Sequence, residues 1–423
     1  MKNYVTLAST SSFTSNAAIA VYIVVAALLI VAIAFTTIMD IKKKNEFRIK
    51  SMLDRAEKEK NRKMVRFPEL LEIDKKYPEF LREKETQGLT LADFCNKFQA
   101  YSAKELGLFY SIEDIRRFVA SLGVSKLMIL QGMSGTGKTS IAVALGRFIN
   151  VPSTVIPIQP MWKERSDLLG YYNEFTGKFN ETVILEKLYE ASFTNKMVVI
   201  VLDELNIARV EYYFSEFLSL LELPITSDRR LVVAAAGANG DPKKMNHGKI
   251  PFPDNVWFLG TANNDDSTFA ITDKVYDRAM VLNFDKRAQG FTVEGDAPTV
   301  NISYDQFNEL IRNALKANTL SAEAKENISA FDRYLASTFH VTFGNRILMQ
   351  IRKYVPIYLA CGGTEIEALD DMFSKKILRK LEAQNPVFIK SKAEEIIAKL
   401  DEIFGQDEMK NCIEYIRKLS HNA

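Results

Sequence analysis

One eight-residue pattern constrains this chain more than any other feature: residues 132–139 read Gly-Met-Ser-Gly-Thr-Gly-Lys-Thr, which is GxxxxGKT. A short apolar run precedes it at 126–130, and residues 140–149 follow with helical spacing, so the sequence predicts a strand, a loop and a helix. The glycines are needed because backbone N–H groups must turn inward to surround phosphate oxygens, while the start of the helix adds partial positive charge. The pattern therefore predicts an α/β fold with a nucleotide-phosphate site at this loop.

The whole loop and the first residue beyond it are predicted to bind the nucleotide. In this prediction the ammonium of Lys138 neutralises the β- and γ-phosphates, and the hydroxyl of Thr139 is a ligand of Mg²⁺. The full set is Gly132, Met133, Ser134, Gly135, Thr136, Gly137, Lys138, Thr139 and Ser140. The substrate is then ATP or GTP, and the cofactor is Mg²⁺.

Two adjacent carboxylates follow a second apolar run. Residues 197–202 read Met-Val-Val-Ile-Val-Leu, as expected of a central parallel strand that is buried on both faces, and Asp203 and Glu204 come next. Such strands present their carboxyl ends to the ligand, so we predict that Asp203 joins Thr139 in holding Mg²⁺ and that Glu204 polarises the water that attacks the γ-phosphate. An acidic pair that merely caps a helix is the alternative, and the additional strand predicted at 154–158 favours the catalytic interpretation.

Two further apolar runs adjoin residues with catalytic chemistry. The run at 256–260 leads into Asn263, whose amide is predicted to orient the attacking water, although Asn after a strand is often a simple turn residue. Arg278 precedes a fourth run, where a guanidinium could reach the phosphates of a neighbouring subunit and stabilise transition-state charge as an arginine finger. The alternative for Arg278 is an ion pair with Asp277 or Asp273.

The amino-terminal part is apolar enough to cross a membrane. No charged residue occurs between Lys2 and Asp40, and residues 17–35 are almost entirely apolar. At about 1.5 Å per residue, such a run spans the roughly 30 Å hydrocarbon core of a bilayer. Lysines cluster just after it, so the positive-inside rule places the carboxyl side in the cytoplasm. We therefore predict a leader outside the cytoplasm at 1–16, a single transmembrane helix at 17–39 and a cytoplasmic remainder.

Two alternatives to a membrane anchor fit the run less well. A cleaved signal peptide typically has a shorter apolar region and a small-residue cleavage site, whereas lysines follow this run. The other alternative is a buried helix of a soluble protein, and its weakness is that nothing polar marks a solvent face, since the run has no polar group apart from the hydroxyl of Tyr22. The anchor remains the prediction.

Composition argues against several other kinds of site. Lys plus Arg number 55 against 53 Asp plus Glu, so the net charge of +2 gives no global basic field for a nucleic-acid polymer, although a local basic patch is compatible with it. The three cysteines, Cys95, Cys361 and Cys412, are far apart in sequence, which argues against a disulfide framework or a Cys-ligated zinc ion.

The motifs, in this order, resemble those of an AAA+ ATPase of the McrB-type branch, which is related to MoxR and dynein-like modules. The resemblance covers about residues 110–385, and it is carried beyond the loop by the stretches 158–171, 202–214, 260–263 and 343–351. It implies that Arg346, within Phe343-Gly-Asn-Arg346, is the sensor-2 residue of a helical lid. It also implies a ring, usually a hexamer, that holds nucleotide between subunits, with Arg278 acting on a neighbour.

The chain departs from this resemblance in two places. Residues 262–267 read Ala-Asn-Asn-Asp-Asp-Ser, whereas the GTP-specific restriction ATPase of the branch has Met-Asn-Thr-Ala-Asp-Arg-Ser, so a GTP preference is not implied and ATP is favoured. The restriction protein also has a DNA-reading amino-terminal domain, whose place is taken here by the predicted anchor. DNA targeting is therefore not implied either, and contact with nucleic acid is compatible with the sequence but unsupported.

A hairpin is predicted at 229–255, from the run Leu-Val-Val-Ala-Ala and a glycine-rich turn. Its tip carries Lys243, Lys244, His247 and Lys249. Such a basic tip either lines a pore, where it contacts an acidic partner or nucleic acid, or is a solvated loop.

The predicted architecture is an α/β P-loop AAA+ domain with a mostly parallel sheet and an all-helical lid, preceded by one transmembrane helix. Its segments are the leader (1–16), the transmembrane helix (17–39), a basic stalk (40–66), a helical lead-in with Tyr110-Ser111 as a helix cap (67–122), the nucleotide-binding domain (123–299), and the lid with carboxy-terminal helices (300–423). The stalk is rich in basic residues and either binds anionic headgroups or is a plain charged linker.

Three biological tasks fit these features. A membrane-tethered ring could use hydrolysis to drive a protein effector, such as a defence or restriction nuclease. It could instead remodel or assemble a membrane protein complex, as MoxR-like chaperones do, or act as a nucleotide-gated scaffold with slow turnover. No nuclease, protease or methyltransferase constellation is present in the sequence, so chemistry beyond nucleotide hydrolysis must come from a partner.

Overall fold

A computed structural model describes residues 25, 34–53, 65–82, 84–263, 268–284 and 288–421. The chain divides into two units. The first consists of residues 1–66 together with 175–178, and the second consists of residues 67–174 and 179–423. The nucleotide loop and the helices that follow the sheet belong to the second unit.

In the first unit, the described part of the amino-terminal region is a helix, α1, at residues 34–53. The predicted leader at 1–16 lies outside the described residues, and so does most of the predicted transmembrane helix, of which only Val25 and residues 34–39 are described. Among the helices that are described, none combines the length and the apolar character needed to cross a bilayer.

The second unit contains a five-stranded sheet and two hairpins. The strands are β1 (Leu127–Gly132), β2 (Thr154–Pro157), β3 (Gly170–Asn173), β4 (Lys178–Glu181), β5 (Val198–Asp203), β6 (Arg230–Val232), β7 (Lys249–Pro251), β8 (Val256–Ala262) and β9 (Met280–Phe284). The central sheet has the order β2-β5-β8-β1-β9, and all its pairs are parallel. The predicted parallel sheet is confirmed, and its five strands are those read from the apolar runs. Their carboxyl ends meet at one edge, as the order of a parallel sheet requires.

Helices surround the sheet and continue beyond it. Those before and between the strands are α2 (Pro68–Lys76), α3 (Leu91–Leu106), α4 (Ile112–Val124), α5 (Lys138–Phe148), α6 (Arg165–Leu169), α7 (Val183–Ala191), α8 (Val210–Tyr213), α9 (Ser215–Glu222) and α10 (Asp273–Tyr276). Those after it are α11 (Tyr304–Ala317), α12 (Ala322–Phe339), α13 (Gly344–Ala360), α14 (Glu365–Met372), α15 (Pro386–Phe404) and α16 (Lys410–His421), with a π-helical turn at Phe373–Ile377 and a 3₁₀ turn at Leu378–Ala383. The helix cap predicted at Ser111 is confirmed, since its side chain accepts a hydrogen bond from the backbone N–H of Asp114.

The two faces of the sheet bury different sets of side chains. Successive residues of a strand point to opposite faces, so Met128 and Leu130 pack with α3, α4, α5 and the later helices, whereas Leu127 and Ile129 pack with α2, α7 and α9. Burial on both faces explains why the central strands are continuous apolar runs. It also fixes the strand ends firmly, which positions the polar residues that follow them.

The hairpin predicted at 229–255 exists as β6 and β7, and part of its basic tip is hydrogen-bonded to neighbouring helices. The backbone N–H of Lys243 donates to Asp74 Oδ2 over 2.8 Å, and that of Lys244 donates to the hydroxyl of Tyr189 over 3.0 Å. The ammonium of Lys244 lies 4.0 Å from the centre of the Phe193 ring. These two residues therefore attach the loop to α2 and α7, and the choice between a pore-lining tip and a solvated loop stays a prediction.

A second hairpin, β3 and β4, was not expected from the sequence. It begins at Gly170, whose φ of +98° lies in the left-handed region, and a Cβ there would come within 1.8 Å of the carbonyl oxygen of Asn180. Only glycine fits this close approach. The strands have four residues each, which is too short for periodicity to reveal them.

Candidate nucleotide-binding site

A cavity of about 330 Å³ opens at the carboxyl edge of the central sheet. Residues from five separate segments line it, and they include six residues of the predicted phosphate loop, the adjoining Ser140, and residues at the tips of β5 and β8. The lining residues are Gly107, Leu108, Phe109, Tyr110, Ser134, Gly135, Thr136, Gly137, Lys138, Thr139, Ser140, Asp203, Glu204, Thr261, Asn263 and Ala288. The fold thus brings together all but four of the predicted site residues, and the exceptions are Gly132, Met133, Arg278 and Arg346.

The phosphate loop connects β1 to α5 in a conformation that depends on glycine. At Gly132 φ is +143°, and a Cβ would lie 2.4 Å from the carbonyl oxygen of Phe284 on the neighbouring strand β9. Gly137, with φ of +93°, immediately precedes the first residue of α5. The first three residues of α5 line the cavity, and the N–H groups at the start of a helix stabilise an anion.

Lys138 is the first residue of α5, and its side chain is buried over the loop. Its ammonium donates hydrogen bonds to the carbonyl oxygens of Gly132, over 2.8 Å, and Met133, over 2.6 Å. Although Gly132 and Met133 do not line the cavity, they hold the ammonium beside it. The positive charge is therefore kept at the loop where phosphate oxygens would bind.

The two predicted magnesium ligands are in direct contact. The Thr139 hydroxyl donates to Asp203 Oδ1 over 2.8 Å, and the Thr261 hydroxyl donates to the same oxygen over 2.9 Å. No group of three or more His, Cys, Asp or Glu that could hold a metal ion occurs among the residues that the structure describes. A hydroxyl beside one carboxylate still suits Mg²⁺, because this ion usually takes one or two protein oxygens together with phosphate and water.

Glu204 has an unusual backbone conformation at the tip of β5. Its φ of 55° and ψ of 48° are left-handed, which is costly for a residue with a Cβ and is typical of functional sites. Its N–H donates to the Thr261 hydroxyl over 2.9 Å, and its carbonyl oxygen accepts from the N–H of Ile207 over 2.9 Å. The side chain is exposed at the cavity. Its carboxylate can therefore meet a water molecule.

Asn206, which we did not predict as a site residue, holds the backbone of Asn263. Its side-chain amide donates to the carbonyl oxygen of Asn263 over 2.9 Å and accepts from the N–H of Asn263 over 3.3 Å. A further hydrogen bond runs to the carbonyl oxygen of Phe269 over 3.2 Å. Asn206 is buried, with 4% of its surface exposed. The sequence shows Asn206 directly after Asp203-Glu204-Leu205, but it does not show that its partner is Asn263, which follows β8.

Arg278 and Arg346 lie together, outside the cavity. Arg278 Nη2 is 2.7 Å from Glu222 Oε2, and Arg346 contacts the other oxygen of the same carboxylate. Partial burial on its own would raise the pKa of Glu222, but the contacts with the two arginines lower it overall. Sequence reasoning did not select Glu222, because an acidic residue at the end of a helix carries no signal of a distant partner.

The ion pairs predicted as the alternative for Arg278 are not the ones that form. Asp273 pairs with Arg379, and the backbone carbonyl of Asp277 accepts a hydrogen bond from Gln350 over 3.0 Å. The reason is geometric, since Asp273 lies at the start of α10, where it contacts Arg379 of the 3₁₀ turn at Leu378–Ala383. Glu222 is the acidic partner of Arg278 instead.

The segment that carries Arg278 is held by helices from beyond the sheet. Lys376, in the π-helical turn, donates to the carbonyl oxygens of Tyr276, over 2.6 Å, and Ala279. Burial lowers the pKa of Lys376 to about 7. The guanidinium of Arg379 lies 3.9 Å from the centre of the Tyr276 ring. The position of Arg278 is thus coupled to the helices that follow the sheet.

Comparisons with known proteins bear on the same region. Residues 127–279 match the family model "AAA domain (dynein-related subfamily)". No curated protein sequence matches the chain. Among solved structures, a "putative ATPase" from Cytophaga hutchinsonii is 14% identical, with a TM-score of 0.45, over 82% of this chain and 98% of that chain. A full-length MCM homolog from Methanopyrus kandleri is 9% identical, with a TM-score of 0.37, over 68% of this chain and 61% of that chain. Likeness at these values carries no conclusion about function.

Proposed function

Starting from the AAA domain at residues 127–279, we propose that the chain is a Mg²⁺-dependent nucleoside triphosphatase that favours ATP over GTP. The observation that carries this proposal is the contact of Thr139 with Asp203 at the phosphate loop, with Glu204 at the same strand tip. Binding of phosphate, binding of Mg²⁺ and activation of water are three separate tasks, and each has a residue of suitable chemistry at this one cavity. The preference for ATP is supported by residues 262–267, which differ from the corresponding sequence of the GTP-specific restriction ATPase.

The roles follow from where the side chains lie. Lys138 and the backbone N–H groups of the loop neutralise the phosphates, and Thr139 and Asp203 would hold Mg²⁺. The ion, when bound, would neutralise charge on the β- and γ-phosphate oxygens. Glu204 accepts a proton from the attacking water, and Asn263 orients that water.

We extend the proposal to a ring in which catalysis takes place between subunits. Arg278 does not line the cavity of its own chain, and neither does Arg346, yet both lie at one carboxylate on the same unit. An arginine placed in this way can serve a neighbour's phosphates as a finger, and Arg346 would lie beside it. A hexamer is the assembly expected of the McrB-type branch.

The membrane anchor is part of the proposal. It is supported by the apolar residues 17–35 and by the lysines that follow, which place the amino terminus outside and the AAA domain in the cytoplasm. A tethered ring of this kind would drive a partner effector at the membrane, such as a defence or restriction nuclease.

Two other tasks remain alternatives: a MoxR-like chaperone that remodels or assembles a membrane protein complex, and a slow nucleotide-gated scaffold. The identity of the partner separates the effector-driving ring from the chaperone. The full-length chain should therefore be purified in detergent, and the proteins that accompany it should be identified. A turnover well below one per minute with intact ATP binding would favour the scaffold.

The enzymatic part is tested by measuring ATP and GTP hydrolysis by the full-length protein in detergent, with and without Mg²⁺. We expect Mg²⁺-dependent release of phosphate from ATP that Lys138→Ala abolishes together with nucleotide binding. Hydrolysis that persists in Lys138→Ala would point to a contaminating ATPase, and absence of hydrolysis in the wild type would overturn the proposal.

A further inference from the structure

The hydroxyl of Thr261 connects the carboxylate of Asp203 to the backbone N–H of Glu204, and these are the two acidic residues that the proposed reaction uses. It donates to Asp203 Oδ1 over 2.9 Å and accepts from the N–H of Glu204 over 2.9 Å. One hydroxyl has one hydrogen to donate and lone pairs to accept, so both bonds form at the same time. Thr261 is buried, with 3% of its surface exposed. Water therefore cannot easily replace it as a partner of either residue.

Thr261 is well placed for this task because it belongs to the middle strand of the site. Strand β8 pairs in parallel with β5, which ends at Asp203, and with β1, which leads into the phosphate loop, and Thr261 is level with Leu130 of β1. The strand also packs closely, since a Cβ at Gly260 would lie 2.6 Å from the side chain of Leu205. Thr261 is thus fixed against both segments that carry the reactive groups.

The hydrogen bond from Thr261 to Asp203 determines which carboxylate oxygen of Asp203 is available to a magnesium ion. The hydroxyls of Thr139 and Thr261 both donate to Oδ1. Within the described residues Asp203 Oδ2 makes no hydrogen bond, so it is the oxygen available to the shell of a magnesium ion. When Thr139 turns to a metal ion, Thr261 would still hold the carboxylate in its orientation.

The bond to Glu204 supports a strained backbone. A left-handed φ of 55° is unfavourable for glutamate, and such a conformation persists only where surrounding contacts enforce it. The Thr261 hydroxyl supplies the contact at the N–H of Glu204, and Ile207 supplies the one at its carbonyl. Loss of the hydroxyl would let the backbone relax and move the carboxylate away from the attacking water.

From these contacts we propose that Thr261 is a positioning residue, which acts on hydrolysis through Asp203 and Glu204 without touching the substrate. This inference rests on the proposed ATPase activity. A positioning role requires the hydroxyl specifically, whereas a packing role would require only the shape of the side chain. Valine and serine separate the two, because Thr261→Val keeps the shape and Thr261→Ser keeps the hydroxyl.

The test compares Thr261→Val, Thr261→Ser and wild type, as full-length proteins in detergent, for ATP turnover and for ATP affinity by calorimetry. Thr261→Val should lower kcat by about tenfold to a hundredfold while ATP affinity changes by less than about threefold, since phosphate contacts are retained. Thr261→Ser should keep at least about a third of wild-type kcat. Thr194→Val is the matched control, because Thr194 is similarly buried, at 5% exposed, and does not line the nucleotide cavity.

Each other outcome overturns the inference. A Thr261→Val enzyme with kcat within about twofold of wild type would show that the hydroxyl is not needed. Equal losses in Thr261→Val and Thr261→Ser, or a loss of ATP affinity as large as the loss of kcat, would indicate a packing role. Failure of the proposed function is distinguishable, because then the wild type itself would not hydrolyse ATP.

Discussion

Arg278 and Arg346 bind the two oxygens of one carboxylate, that of Glu222, although they come from different parts of the chain. Arg278 precedes the edge strand β9, and Arg346 lies in the first turn of α13. Glu222 is the last residue of α9. A single acidic side chain therefore contacts both arginines that we predicted as catalytic, Arg278 from its position and Arg346 from the family resemblance, and neither arginine lines the cavity.

Glu222→Gln tests whether this arrangement matters. Glutamine has the same shape but lacks the charge, so it would hold the guanidinium groups more weakly. We expect ATP turnover to fall by about threefold to tenfold, with ATP affinity unchanged, because Glu222 does not line the cavity. Unchanged or faster turnover would show that Glu222 does not support the active positions of the two arginines.

Arg278→Ala should impair hydrolysis severely. Arginine fingers contribute about 10³ to 10⁵ in turnover in other P-loop systems, whereas ATP affinity should stay within about tenfold. A mixing experiment gives the sharper result. A Lys138→Ala subunit has an intact Arg278 and an Arg278→Ala subunit has an intact loop, so co-assembly of the two inactive variants should restore part of the activity at mixed interfaces.

Formation of mixed rings must be shown independently, for example by differently tagged subunits that purify together. If mixed rings form and no activity returns at any ratio, Arg278 does not act on a neighbour. The ion pair with Glu222 would then be its principal role.

The amino-terminal region predicts both membrane association and topology. Full-length protein should remain in the membrane fraction after high-salt washing, and a chain without residues 1–40 should not. In intact spheroplasts, added protease should leave the AAA domain uncut, and it should cut the domain once the membrane is permeabilised. Digestion of the AAA domain in intact spheroplasts would reverse the predicted topology.

We predict that the stability of the fold depends on pH because of the lowered pKa of Lys376. Burial lowers its pKa to about 7 in the folded chain, whereas the ordinary value of 10.5 applies when the chain is unfolded. Between these two pH values the unfolded chain binds a proton that the folded chain lacks, so the lysine destabilises the fold most below pH 7 and its cost declines as the pH rises. The gain is at most about 1.4 kcal/mol per pH unit.

The measurement is the difference in apparent melting temperature between wild type and Lys376→Met, at about pH 6 and about pH 9. Methionine cannot titrate. The variant also lacks the contacts of Lys376 with the carbonyls of Tyr276 and Ala279, and this loss is independent of pH. Wild type should therefore gain stability relative to the variant at the higher pH. A difference that does not change with pH would refute the lowered pKa.

The sequence predicted the parts of this fold that depend on short, contiguous patterns. Strands β1, β5, β8 and β9 are buried on both faces, so each is an apolar run, and the phosphate loop is a contiguous glycine pattern. Because parallel strands share one edge, residues at the ends of such runs were expected to meet, and Thr139, Asp203 and Asn263 do line one cavity.

What the sequence did not predict depends on contacts between distant residues of ordinary type. Thr261, Asn206 and Glu222 each have a partner more than fifty residues away, and nothing in their own neighbourhood identifies that partner. Docking of Lys243 on Asp74 is a contact of the same kind. Such pairings arise from the assembled fold, and a single sequence carries no periodic signal for them.

In the proposed reaction Glu204 activates the attacking water, and substitution of this residue by glutamine is the most direct test. Glu204→Gln preserves the size of the side chain and leaves Thr139 and Asp203 in contact, but it removes the group that accepts a proton. The measurement is single-turnover hydrolysis of bound ATP by the full-length protein. The account predicts wild-type ATP affinity with hydrolysis reduced by at least about a hundredfold. Hydrolysis at the wild-type rate would contradict it.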